Sequence, residues 1–157
     1  MLAEKYKIVP IASDLDVSAT TSGDSINMKN YHAATFIIGY QTLAAGDSTI
    51  TLYSGAADGT LTTAVTFNYA WMSAAAAGTD ADVLAAWTSG TSVTATHGTY
   101  DNYTLIVEVN AAAMDVANSH EWLTIVCTDT AAATGNVQIH AILEPRYLGG
   151  QSVTCLE

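Results

Sequence analysis

Residues 136–144 alternate with a strict period of two, and that alternation constrains the fold more than any other feature of the chain. Val137, Ile139, Ala141 and Leu143 point one way, whereas Gln138, His140, Ile142 and Glu144 mostly point the other. Such a pattern marks a β-strand with one buried face. Pro145 ends the pairing, because proline has no N–H to give a ladder. Upstream, residues 120–128 form a second long apolar run, joined to the first by the small-residue connection 129–135. Together they read as an antiparallel hairpin.

Earlier stretches repeat the same grammar. In 33–41, Phe36, Ile38 and Tyr40 share a face and Ile37 lies on the other, the pattern of a central strand covered on both sides. In 48–54, Ile50 and Leu52 point inward and Thr49, Thr51 and Tyr53 outward. In 64–71, Val65, Phe67, Tyr69 and Trp71 share a face. In 103–110, Tyr103, Leu105, Val107 and Val109 do. Residues 92–96 make a weaker strand. The stretch 79–87 breaks the rhythm: Thr79 is a candidate N-cap, Asp80 and Asp82 suit a first helical turn, and Val83, Leu84 and Trp87 fall at helical spacing. It predicts a short helix covering the sheet, and 111–115 predicts one further helical turn. Strands never alternate with long helices, so βαβ units are absent. The expected fold is an all-β antiparallel sandwich or jelly roll with one or two short helices and an extended N-terminal arm.

The expected organisation has three parts. Residues 1–30 form an arm and linker, 31–148 the sandwich and 149–157 a C-terminal tail. In the arm, Tyr6, Ile8 and Pro10 share a side, and the polar stretch 12–24 reads as a flexible connection. Strand addition by residues 6–11 to a neighbour is one expectation. A plain edge strand of the same domain is the other.

Composition narrows function. The 157 residues suit one domain, and a chain of this size buries about two-thirds of its unfolded surface. Only 12% are charged, against about a quarter in an ordinary globular protein. A surface so poor in charge is either apolar in water or covered by another protein. Fifteen acids face four bases, for a net charge of −11. The bases are Lys5, Lys7, Lys29 and Arg146, so nothing from 30 to 145 can neutralise a phosphate. Nucleic acid is excluded as a partner and an anionic membrane disfavoured. Residues 1–13 lack a signal-peptide apolar core, and no run is long enough to span a bilayer. Cys127 reads as a buried small hydrophobe and Cys155 as an incidental tail thiol, without a disulfide.

Candidate sites are few. Asp14-Leu15-Asp16 and Asp80-Ala81-Asp82 are fragments of calcium loops that lack the remaining ligands. His32, His97, His120 and His140 show no zinc spacing, and His120 and His140 read as cross-strand neighbours on the hairpin. Glu108, Glu144 and Glu121 lie on strands, but sequence does not bring two together for glycoside hydrolysis. No nucleophile elbow or phosphate loop occurs. Catalytic residues, metal and cofactors are therefore expected to be none, and the chain not an enzyme. Tyr40, Trp71 and Trp87 read as core. Tyr53 and Trp122 lie on the less apolar faces of their strands and are candidate surface anchors. With Lys5, Tyr6, Lys7 and Ile8 of the arm, they make up the expected partner-binding set.

Three short strings carry a family resemblance: Tyr31-His32-Ala33-Ala34-Thr35-Phe36-Ile37-Ile38, the step Glu108-Val109-Asn110-Ala111, and Glu144-Pro145-Arg146-Tyr147 closing the last strand. With Thr- and Ala-rich strands between them, the chain resembles the small structural proteins of tailed-bacteriophage virions, in particular capsid decoration (cement) proteins. The resemblance implies a virion protein made in the host bacterial cytoplasm and carried on the capsid surface. It would bind the major capsid protein, associate with its own copies, a trimer first, and stabilise the shell by bridging subunits. A tail-tube protein and a receptor- or glycan-binding sandwich remain as alternatives. The resemblance brings no catalytic residues with it.

Overall fold

The computed structural model describes residues 2–147, 149 and 153–156. The first residue of the expected arm, the last of the expected sandwich, and residues 150–152 and 157 of the expected tail lie outside the described residues. The strands, in chain order, are β1 (Lys7–Asp16), β2 (Thr21–Ser22), β3 (Ile26–Asn27), β4 (Tyr31–Tyr40), β5 (Ser48–Gly55), β6 (Thr63–Ala64), β7 (Phe67–Trp71), β8 (Thr88–Gly90), β9 (Ser92–Ala95), β10 (Thr104–Asn110), β11 (Trp122–Asp129) and β12 (Asn136–Pro145). One helical turn, α1 (Leu2–Lys5), precedes them; a 3-10 turn at Ala111–Ala113 falls where the sequence predicts a helical turn, and a second, at Val116–Asn118, follows it.

Two antiparallel sheets form the body. The first, called the front sheet, has the order β1-β12-β4-β10-β7-β8. The second, the back sheet, has the order β2-β11-β5-β6, with β3 also on β11 and β9 also on β5. The chain crosses repeatedly between sheets, and the first long strand pairs with the last. That order, with strands from both halves of the chain interleaved, is a jelly-roll sandwich.

The alternation seen in the sequence fixes which face each strand buries. Val137, Ile139, Ala141 and Leu143 of β12 stand opposite Tyr40, Ile38, Phe36 and Ala34 of β4. Leu105, Val107 and Val109 of β10 extend those rows. The back sheet answers with Ile50, Leu52, Leu123, Ile125 and Cys127, all without exposure. These side chains make one continuous core.

Several expectations are corrected. The 120–144 stretch is not a hairpin. β11 pairs with β5, β2 and β3, and β12 with β4 and β1, so the connection passes from one sheet to the other. It does so against the turn at Gly46. There φ is +62°, and a Cβ would overlap the Ala131 carbonyl. His120 therefore lies buried in the loop before β11, whereas His140 is exposed on β12. Residues 1–30 are not a detached arm: β1 pairs along β12, and Val9 and Ile11 enter the core. The stretch 12–24, read as a flexible connection, finishes β1 and supplies β2. Bulges after Pro10 and Ala12 interrupt β1, which suits a protected sheet edge.

Residues 79–87 form no helix. Ala77 and Asp80 take positive φ, and the backbone instead bonds sideways to β7 and its extension: Ser73 N–H donates to Val83 O at 2.7 Å and Ala85 N–H to Trp71 O at 2.8 Å. Trp87, expected to be buried, is 45% exposed. β4 is central, but Ile37 is 36% exposed, so the strand is covered on one face only. Cys127 and Cys155 are both free and buried. Cys155 is more than an incidental tail residue, because its carbonyl accepts from Asn27 N at 2.9 Å and pins the tail to β3.

Three outcomes test this architecture. Ile139→Asp buries an unpaired carboxylate and is expected to prevent folding, whereas Ile37→Lys, on the open face of the neighbouring strand, should change stability by less than about 0.5 kcal/mol. A denaturant titration showing equal losses would refute the assignment of faces. Deleting residues 1–12 strips Val9 and Ile11 from the core and should lower the thermal midpoint of the isolated chain. An unchanged midpoint would mean that β1 is not part of the domain. The third concerns pH. Burial pushes the Cys127 thiol up to about 12 and the Tyr31 hydroxyl, beside Cys155, also to about 12, and it raises Tyr40. Each folded value exceeds the unfolded one, so the stabilisation is complete below the unfolded values and is lost as pH climbs towards about 12. The thermal midpoint should hold near neutrality and fall above about pH 9, where free thiols ionise. Cys127→Ala should make that fall shallower, and an identical slope would contradict the assignment.

Candidate interaction surface

The outer face of the front sheet is where chemistry-bearing side chains gather. Register places Ile8, Ile142, Thr35, Glu108 and Asn68 in one row across β1, β12, β4, β10 and β7. The next row is Pro10, His140, Ile37, Ile106 and Ala70. On the other side run Glu144, Ala33 and Asn110. Four strand spacings separate the ends of the first row, or about 19 Å. Ile8 is 48% exposed, and Ile142 and Ile106 are half-buried. Beyond β7 the exposed Val83, Leu84 and Trp87 continue the apolar surface along the sheet edge.

Small residues on β4 lower the middle of this face. Between them and the taller side chains on either side lies a groove of about 380 Å³, lined by Tyr6, Thr35, Asn68, Glu108, Ile142 and Glu144, among others. The two carboxylates flank β4 diagonally, one strand to each side and two residues apart along it. Neither has a cationic partner among the described residues. Lys29 pairs with Glu121 at 3.4 Å, and Arg146 Nε donates to Tyr31 O at 2.8 Å, so those two bases are engaged elsewhere.

The expected partner-binding residues separate. Tyr6 lines the groove and Ile8 lies on the same face. Lys5 is exposed in α1, whereas Lys7 turns the other way, its charge close enough to the Cys155 thiol to counter part of the upward push of burial. Tyr53 is half-buried on the outer face of the back sheet. Trp122 is a correction: only 8% of it is exposed, because β3, Gly55 and the tail around Thr154–Leu156 surround it. The residues that sequence reasoning passed over are Ile37, Ile106, Ile142, Glu108 and Glu144 as a joint surface. Ile37 and Ile142 did leave a signal, since each is an apolar residue out of phase in an alternating strand.

A second cluster has the composition of a hydrolase triad. Ser54 Oγ and His120 Nδ1 are 3.1 Å apart, and Asp115 sits beside them. Its connections are those of a structural knot. Ser54 Oγ accepts from Asp115 N at 3.4 Å, the Asp115 carboxylate accepts from Asn118 Nδ2 at 2.8 Å, and the His120 N–H donates to Asp115 O at 3.1 Å. The Asn118 amide leads the groups that hold the Asp115 carboxyl below its ordinary range. Ser54 has no exposed surface, so no carbonyl carbon can reach Oγ. The knot ties the end of β5 to the loop before β11.

The carboxylates of the first aspartate fragment are likewise engaged. Asp14 Oδ1 accepts from Asn136 Nδ2 at 2.6 Å, and Asp16 Oδ1 from Ser18 N at 2.8 Å, a bond that lowers the Asp16 pKa. Among the described residues no group of three or more His, Cys, Asp or Glu side chains is placed to hold a metal ion.

No protein-family model and no curated protein sequence matches the chain. Its fold is similar to the crystal structure of the SPBc2 prophage-derived protein YomS, with a TM-score of 0.51 over 88% of this chain and 91% of that one. At 11% identity the likeness is one of fold, and it places this chain among all-β sandwiches.

Proposed function

We propose that the chain is a phage structural protein that decorates the outside of an assembled capsid, docking through the outer face of its front sheet. The observation that carries this reading is the apolar band from Ile8 to Ile37 and Ile106, which no described segment covers, beside carboxylates with no cationic partner among the described residues. A surface of that kind suits a lattice of protein subunits. The fold likeness to a prophage-derived protein and the resemblance in the strand strings support it. The engaged hydroxyl and carboxylate groups of the Ser54 knot favour a binding role over a catalytic one.

The physical mechanism is mass action. A ligand that binds the assembled lattice and not the free subunit stabilises assembly by RT ln(1 + [L]/Kd) at each site, a few kcal/mol when the ligand is well in excess. Repeated over a shell, that sum resists disassembly without any chemistry. In this reading the partner is the major capsid protein, and copies of the chain adjoin on the shell as trimers. The site of action is the virion surface after synthesis in the host cytoplasm. The net charge of −11 suits the outside of a particle, away from packaged DNA.

Co-sedimentation with shells and tails separated from one particle preparation tests the reading. Wild-type chain should pellet with shells to saturation and raise the temperature at which they disrupt. The Ile37→Lys/Ile142→Lys double variant should keep a similar melting midpoint in isolation and lose at least about tenfold in shell affinity. Saturation of shells by the folded variant, or binding to tails alone, would sink the reading.

A further inference from the structure

We infer that the groove on the front sheet is a receptor for a basic side chain, arginine above all, presented by the docking partner. This rests on the proposed docking face and names the chemistry its partner must bring. Glu108 and Glu144 look across Ala33 and Thr35 from opposite sides, about 10 Å apart between strands and about 7 Å along them. A divalent cation holds its oxygens at about 2.4 Å, which these two backbone positions do not favour sharing. A guanidinium is different. It is flat, carries donors on several edges, and can meet carboxylates that lean in from either side. The Tyr6 ring at the rim offers a face for cation–π contact, and Ile142 and Ala33 offer apolar surface to the side-chain stem. Asn68 and Asn110 complete the lining. Asn110 Oδ1 is already used by Ala112 N at 2.8 Å, which fixes its amide.

Charge decides between occupants. A nucleic acid or other polyanion is repelled by the carboxylates. A second copy of this chain also brings −11, and two of its four bases are tied up by Glu121 and the Tyr31 carbonyl. Of its remaining bases, Lys7 turns away from this face towards Cys155, so a second copy offers Lys5 alone against two carboxylates. A basic segment of a different protein meets both requirements, because it supplies the missing cation and cancels part of the acidic field.

The test uses the full ¹⁵N-labelled chain and a capped five-residue peptide with arginine at its second and fourth positions. Its citrulline counterpart keeps the shape and removes the charge. Arginine peptide should shift the amide signals of Thr35, Asn68, Asn110 and Ile142 and leave the back sheet unmoved. Citrulline peptide should not bind. The variant E108Q/E144Q should weaken binding by about tenfold, since an exposed ion pair is worth about twofold to fivefold. The control D58N/D82N removes as much charge at exposed turns and should bind like wild type. Equal affinity for E108Q/E144Q and wild type, or shifts spread evenly over the acidic surface, would overturn the assignment. The shell assay separates the two ideas. If the peptide result holds but no form of the chain binds shells, the docking reading fails and the groove assignment stands. If E108Q/E144Q saturates shells as wild type does, docking stands and the arginine assignment falls.

Discussion

Everything in this sandwich hangs on β12 lying between β1 and β4. That one strand joins the chain's first long strand to its central one, and its inward residues form the rows on which Phe36, Ile38 and Tyr40 pack. The pairing is as non-local as the chain allows. Residues near the amino end wait for residues near the carboxyl end, and the loop-closure entropy must be met before any hydrogen bond is made. Such topologies fold slowly. Among the described residues the same closure leaves β1 and β8 as the edges of the front sheet. β1 carries Pro10 and two bulges, and β8 is three residues long, so neither offers a flat template for another strand.

The two sheets differ in how their outer faces are treated. On the back sheet, β11 is buried on both faces: Trp122, Thr124 and Val126 point away from the core and are still covered. The Ser25 hydroxyl bonds that of Thr124 at 2.7 Å and accepts from Gly59 N at 3.1 Å, so the turn after β5 closes over the strand. On the front sheet no segment of the described chain covers Ile8, Ile37 or the groove. A fold that seals one outer face with its own loops and leaves the other open has a front and a back. The Tyr40 and Ser48 hydroxyls are both buried and lie close enough for Ser48 to offset a little of the upward push that burial gives Tyr40.

Alternation made the faces legible and hid the neighbours. Period two says which side of β12 is buried; it says nothing about whether β11 or β4 lies beside it, because any strand with the same period satisfies the pattern. The short link 129–135 looked like a hairpin turn, yet it bridges the sheets, held by Thr130 N–H to Asp47 O at 3.0 Å and Thr134 N–H to Ala45 O at 2.9 Å. The helical spacing of Val83, Leu84 and Trp87 lost to backbone pairing with β7, a case of tertiary context overriding weak local preference. The burial of Trp122 is not legible in its own strand, because what covers it comes from β3 and the tail, far away in sequence. Glu108 and Glu144 could not be paired in advance, since their diagonal relation exists only through the register of three strands.

On the proposed docking, the apolar band and the carboxylates would divide the work of recognition between them. Burying Ile8, Ile37 and Ile142 against a partner would supply affinity at about 25 cal/mol per Å² and has no preferred direction. Two fixed carboxylates across β4 do have direction. They add little net energy at an exposed site, but a partner turned the wrong way would leave them desolvated and unpaired, which is costly. On the proposed docking, orientation would therefore come from the charges and strength from the isoleucines. A bridging protein needs both, because an ornament that binds tightly in several orientations cannot join the same two neighbours at every site of a lattice.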